Sequence, residues 1–200
     1  MDYQAKLKTP FGELGIRCTD DALTGIEFLA PGTKPQRPRN AFAGKVCEQL
    51  SAYFSDADFH FDVPLRRGGT AHQNKVWQAM RAIPRGQVQT YGDLAAQIGS
   101  SPRAVGQACG NNPIPIVVPC HRVVGNAGMG GFMHHSAGYA LDIKHWLLAH
   151  EGAMAPSPLH PQGVGHGCKA AKAATTTHQG EGWGEGRSME TRSPVGAKPK

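Results

Sequence analysis

Hydrophobic and polar positions alternate with a period of two over the first thirty residues. Tyr3, Ala5 and Leu7, then Leu14, Ile16 and Cys18, then Ile26 and Phe28 recur with polar residues between them, as in strands that bury one face. Two breaks of turn chemistry, Thr9-Pro10-Phe11-Gly12 and Thr19-Asp20-Asp21, predict a hairpin or meander. Pro31 to Arg39 read as a loop. Beyond it Phe42, Val46, Leu50, Tyr53 and Phe54 fall at helical spacing, which predicts an amphipathic helix over residues 40–55 that covers one face of the sheet. Residues 1–62 thus read as a small sheet-plus-helix α+β domain, and nothing in them has the look of a reaction centre.

From Thr70 the period becomes helical. Val76, Met80 and Ile83 lie at i, i+4 and i+7, Trp77 widens the stripe, and Pro84 with Gly86 ends it. Thr90-Tyr91-Gly92-Asp93 has the form of a capping box with Asp in place of Glu; it opens a helix through Leu94, Ala95 and Ile98 that Gly99 closes. Ser101 then caps a third helix, with Pro102 at its first position, running to Gly110. Two short helices across a tight Gly-Ser turn resemble a helix-turn-helix, whose second helix enters a DNA groove. Here Arg103, Ala104, Val105 and Gly106 offer a small-residue face for that purpose. A last helix is predicted over residues 139–150, with Gly152 as its stop. Residues 70–152 form the second, mainly helical domain of this reading. Residues 155–200 hold only Leu159, Val164, Met189 and Val195 among larger aliphatics, too little apolar surface to offset chain entropy, so a disordered C-terminal tail is expected.

Composition narrows the class. With 40% hydrophobic and 18% charged residues the chain is globular. No apolar run approaches the ~20 residues of a membrane helix, and the N-terminus lacks a signal peptide's hydrophobic region, so no membrane association and a cytoplasmic location are expected. Five cysteines, an odd number without a C-x-x-C spacing, argue against a disulfide framework and a zinc ribbon. His160, His166, Cys168 and His178 are too irregularly spaced for a finger, and no metal is expected. The net charge of +6 is unevenly placed. Seven Lys and Arg face nine Asp and Glu in residues 1–62, but eight face three in residues 63–151, so the positive field that would attract an anionic partner lies in the second domain.

The chemistry is concentrated between Asn111 and Val123. A hydrophobic approach interrupted by Pro113, Pro115 and Pro119 delivers Cys120, followed at once by His121 and Arg122. A cysteine attacks as thiolate, and a neighbouring base or positive charge makes that form available near neutral pH. His121 and Arg122 are the local candidates for that influence. A small buried hydrophobe is the other reading of Cys120.

Pro119-Cys120-His121-Arg122-Val123, preceded by Asn112-Pro113, resembles the active-site signature of the O6-alkylguanine-DNA alkyltransferases, the methylated-DNA–protein-cysteine methyltransferases. Further matches are Val76-Trp77, Ile83-Pro84 with Gly86, Tyr91-Gly92 with Leu94-Ala95, Arg103 to Gly106, and Trp146 to Glu151. The resemblance implies a ribonuclease-H-like N-terminal domain and a winged-helix-like DNA-binding domain that carries the cysteine. It implies a monomer acting without cofactor on double-stranded DNA containing O6-alkylguanine, with O4-alkylthymine as a possible second substrate. The alkyl group passes irreversibly to Cys120, once per molecule, after the base is flipped out of the helix. His121 is then the base acting through a water, and Glu151 orients and charges its imidazole. Asn112 holds the thiol's surroundings, Tyr91 donates to the guanine leaving group, and Lys144 supports the O6 side. Arg103, with Ala104, Gly106 and Tyr91 beside it, fills the gap left by the flipped nucleotide. Arg122 and Pro119 are structural.

Three departures from the family pattern stand out. The stretch from Gly99 to Arg103 is shorter than in many members. Residues 129–139 make a longer substrate loop, with Gly138-Tyr139 where many members have a Gly-Gly pair. The zinc-ligand set of some animal members has no counterpart. Three other readings stay open: a non-catalytic sensor of alkylated DNA, which the presence of Cys120 opposes, a thiol hydrolase built on Cys120, His121 and Glu151, and a transcription regulator whose helix-turn-helix reads sequence.

Overall fold

Three antiparallel strands, β1 (Ala5–Thr9), β2 (Gly12–Cys18) and β3 (Leu23–Phe28), form a meander in the order β1-β2-β3. The pairing Leu7↔Leu14 and Ile16↔Ile26 brings the alternating apolar set into register. Helix α1 (Ala41–Ser55) starts at Asn40, whose side chain accepts the Ala43 N–H, and buries Ala43, Val46, Leu50 and Tyr53. Val46, Leu50 and Tyr53 are among the residues whose spacing predicted it, while Phe42 and Phe54 are only partly buried. The structure is a computed structural model, and it describes residues 2–66 and 68–154. The expected disorder of the tail concerns residues outside that range.

Helix α2 (Ala71–Ala82) begins in a full capping box between Thr70 and Gln73. Strand β4 (Gln89–Thr90) leads directly into α3 (Tyr91–Ile98), where Thr90 and Asp93 form the capping box the sequence proposed; Gly99 ends α3 in the left-handed conformation. Ser101 accepts the Ala104 N–H and Pro102 opens α4 (Pro102–Gly110), so the helix-turn-helix is present. Trp77 ties α2 to α4 by donating its indole N–H to the Ala108 carbonyl at 2.8 Å. A short 3₁₀ turn over Cys120–Arg122 runs into β5 (Val123–Val124), which pairs in parallel with β4, and α5 (Tyr139–His150) closes the described chain.

The hydrophobic approach to Cys120 is not a strand. Its three prolines lack the N–H that a ladder needs, and residues 113–119 instead fold as turns, with Val118 N bonded to Ile114 O at 2.9 Å. Ile116 has a φ of 74° while buried. A β-branched residue in that region stores strain of order 1–3 kcal/mol, which only a surrounding structure can hold in place.

Both halves of the described chain contribute to one hydrophobic core. β3 donates Ile26 N–H to the Pro113 carbonyl at 2.9 Å, Phe28 packs on Phe132, and Phe11 on Trp146. The seam thus runs along the segment that presents Cys120. Among the described residues no helix is long and apolar enough to cross a membrane.

Candidate active site

Asn112 holds the bend before Cys120. Its amide donates to the Val118 carbonyl at 2.7 Å and accepts the Ile114 N–H at 3.1 Å, so both ends of the proline-rich turn hang on one buried side chain. Pro119 precedes the 3₁₀ turn, and Cys120, at its first position, is 4% exposed.

Burial sets the state of the thiol. It pushes the Cys120 pKa up to about 11, against the opposing pull of a hydrogen bond from Asn112 and the charge of Lys144. The sequence pointed to His121 and Arg122 as the groups that lower it. In the fold, Asn112 and Lys144 take that part and do not outweigh desolvation. The resting thiol is therefore protonated near neutral pH, and a base has to remove its proton during reaction.

A histidine lies one residue on. His121 is fully buried, and its Nε2 faces Glu151 Oε1 at 3.0 Å. Burial lowers the imidazole's pKa against the pull of the carboxylate, so the ring is neutral at pH 7. A nitrogen facing a carboxylate carries the proton, which leaves Nδ1 as the free lone pair; buried Nδ1 makes no hydrogen bond to any described residue.

Glu151, just past the end of α5, is the hub. Its Oε1 accepts from His121, from Arg122 Nη2 at 2.9 Å and from the Tyr53 hydroxyl at 2.8 Å, and its Oε2 accepts from Arg122 Nε at 2.8 Å. Burial opposes its charge, but the bonds from His121 and Arg122 hold the carboxyl well below the usual range. Arg122 does bond a backbone carbonyl, that of Ile83 at 2.6 Å, as a structural residue would. It also forks onto Glu151, a contact the sequence did not suggest.

Tyr53 corrects the view that residues 1–62 are remote from the site. It sits in the buried stripe of α1, and burial together with Glu151 raises its pKa, so it remains a neutral donor. In sequence it is one more aromatic at helical spacing, and no local signal marks it.

Lys144 is fully buried. Its Nζ donates to the carbonyls of Val123 at 2.7 Å, Met129 at 2.5 Å and Gly131 at 2.9 Å. All three protons of an ammonium are thus committed to the loop backbone. Tyr91, at the start of α3, donates its hydroxyl to the same Gly131 carbonyl at 3.1 Å. Burial raises the Tyr91 pKa to about 12 and lowers that of Lys144 to about 8.

These walls enclose a cavity of about 300 Å³ with Cys120 among its lining residues, between Tyr91, Gly106 and Cys109 on the helical side and the 131–136 segment opposite. A larger cavity of about 540 Å³ lies between β3 and the other side of that segment, and Cys120 is not among its lining residues. Arg103 is exposed near the start of α4, with Ala104 and Gly106 half-buried beside it. Cys109, whose pKa burial raises to about 12, shares the smaller cavity with Cys120 and was not singled out by spacing.

A buried thiol beside an imidazole–carboxylate pair, in a 3₁₀ turn that follows a helix-turn-helix, makes a cysteine-dependent DNA-binding protein the class to compare with. Residues 71–153 match the DNA-binding domain of 6-O-methylguanine DNA methyltransferase, and residues 3–67 match the ribonuclease-like domain of the same enzyme. A methylated-DNA–protein-cysteine methyltransferase of Mycolicibacterium paratuberculosis is 42% identical over 76% of this chain and 93% of its own length. The constitutive enzyme of that name from Bacillus subtilis is 39% identical over 74% and 94%. The crystal structure of Mycobacterium tuberculosis O6-methylguanine methyltransferase aligns with a TM-score of 0.64 at 35% identity, over 76% of this chain and 93% of that one. The same organism's OGT in complex with DNA aligns at 0.62 and 36%, over 76% and 94%. The chain belongs to the methylated-DNA–protein-cysteine methyltransferase family.

Proposed function

We propose that this protein repairs DNA by moving an alkyl group from O6 of guanine onto Cys120, irreversibly and once per molecule. The observation that carries the reading is a buried protonated thiol lining a cavity, with a neutral imidazole one residue away whose Nδ1 bonds no described residue. In this scheme the Cys120 proton passes through a water to His121 Nδ1, and Glu151 stabilises the imidazolium that results. Sγ then displaces the alkyl carbon, the O6–carbon bond breaks, and the guanine takes up a proton as its oxygen gains charge. Tyr91, which lines the same cavity, is the donor in this scheme. The products are unmodified guanine and a thioether, and the group passes directly, so no cofactor enters the chemistry. Lys144 acts by fixing the carbonyls of the loop and by its charge near Sγ. The protein works as a monomer on chromosomal DNA in the cytoplasm, with an N-terminal domain over residues 1–62 and an alkyltransferase domain over residues 70–152. Intact mass after incubation with duplex DNA containing O6-methylguanine tests the reading. One methyl mapped to Cys120 at one equivalent is expected, whereas sustained turnover with an unmodified thiol favours a hydrolase.

Arg103 separates base flipping from groove binding. If its guanidinium replaces the extruded nucleotide, Arg103→Ala slows transfer on duplex DNA far more than on free O6-alkylguanine, because only the duplex requires unstacking and unpairing, a few kcal/mol in order of magnitude. Single-turnover rates at saturating DNA decide this. Equal loss on both substrates points to damage in α4.

Tyr53→Phe removes one of four hydrogen bonds to Glu151. A bond to a charged acceptor contributes about 1.5–3 kcal/mol, so melting should fall by roughly 5 °C, and transfer should slow several-fold as the relay loosens. An unchanged melting temperature and rate would show that Tyr53 only fills space.

A further inference from the structure

The longer loop folds into a two-residue hairpin. Phe132 and His135 exchange both backbone hydrogen bonds at 2.8 Å, and the turn between them consists of Met133 and His134 with φ of 49° and 65°. Such a turn ordinarily takes Asn-Gly, since side chains rarely adopt left-handed backbone at two successive positions. Something outside the turn must therefore hold it.

The holding contacts are at its tip. The His134 imidazole lies on Gly110, the last residue of α4, so closely that a Cβ there would come within 2.5 Å of its Cε1; only glycine admits the ring. His134 Nε2 is 3.1 Å from Asn111 Oδ1. At the base of the hairpin Phe132 is buried against Phe28. The hairpin is thus anchored at both ends, and its tip is latched to the DNA-binding helix.

The latch spans the two walls of the cavity that holds Cys120. Gly106, Cys109 and Gly110 line one wall and the 131–136 hairpin the other. With the tip fastened across the rim, the walls cannot separate unless the His134 contacts break. We propose that His134 is a specificity-determining residue that holds the alkyl pocket at a width suited to small O6 substituents. This rests on the alkyl-transfer reading above. A methyl group fits without moving the hairpin, whereas a benzyl group adds a ring that the space between α4 and the hairpin must widen to accept.

The test compares single-turnover transfer from duplex oligonucleotides carrying O6-methylguanine or O6-benzylguanine. The readout is the ratio of the two rates. For His134→Ala the benzyl-to-methyl ratio should rise about tenfold, and for Asn111→Ala, which loses the hydrogen bond but keeps the imidazole, it should rise a few-fold. A general folding lesion lowers both rates together and leaves the ratio where it was. A ratio unchanged or lowered in both variants, whatever the absolute rates, overturns the latch. A wild-type protein that takes the methyl group while the variants' ratios stay put sinks this inference alone; one that takes neither substrate sinks the proposed function and the latch with it.

Discussion

Cys120→Ala and Cys120→Ser proteins will transfer no alkyl group, at any DNA concentration, while binding duplex DNA with close to wild-type affinity. Alanine offers no nucleophile, and a serine hydroxyl is far harder to ionise than the thiol it replaces. In the proposed reading affinity rests on contacts of the basic second half and α4 with phosphate and groove, which neither change touches. Because burial pushes the thiol to about 11, the resting protein holds little thiolate at pH 7, and the proton must leave during the reaction. His121 stays neutral to below its ordinary 6.5, so the single-turnover rate should not begin to fall until the pH is under that value. Mass spectrometry of both variants and a rate–pH profile of the wild type check these points. Methyl transfer by the alanine variant, for instance onto Cys109 in the same cavity, would refute the assignment of the nucleophile.

Glu151→Gln is expected to cost both stability and activity. The change keeps the shape but removes the charge that Arg122 and His121 are built around, leaving a largely buried guanidinium with neutral acceptors only, one amide oxygen and the Ile83 carbonyl. Removing one member of a buried ion pair costs about 3–5 kcal/mol, a melting shift of roughly 10 °C for a folded region of this size. Transfer should slow by at least ~100-fold, since the imidazole loses the group that fixes its tautomer and stabilises its cation. Acid sensitivity should weaken as well. The Glu151 carboxyl has a lower pKa folded than its ordinary 4.5, so the unfolded chain binds the extra proton; the stabilisation is complete above 4.5 and is lost as pH falls through the folded value. His121 works in the same direction below 6.5, because the folded protein resists a proton that the unfolded chain accepts. The variant retains only the histidine part. Melting curves from pH 7 down to pH 3 measure this, and an unaltered pH dependence would show that Glu151 is not the hub of the buried charges.

What the sequence determined by itself is local. Period-two and period-3.6 patterning placed β1–β3 and all five helices, and Thr90 with Asp93, Gly99, Ser101 and Pro102 marked where α3 and α4 begin and end, because caps and turns are interactions between residues a few positions apart. The order of motifs around Pro119-Cys120-His121-Arg122 also identified the family before any coordinate. The tertiary structure decided how the site works. Residues 98 positions apart meet when Tyr53 donates to Glu151, and nothing in the stripe of α1 distinguishes that tyrosine from its core neighbours. Lys144 reads as a surface or substrate-side lysine until its three carbonyls are seen. The direction of the Cys120 pKa followed from burial, and the hydrophobic approach before it took the form of turns with a left-handed Ile116. Desolvation and hydrogen bonding between distant segments exist only once the chain has closed on itself, so they leave no trace in spacing.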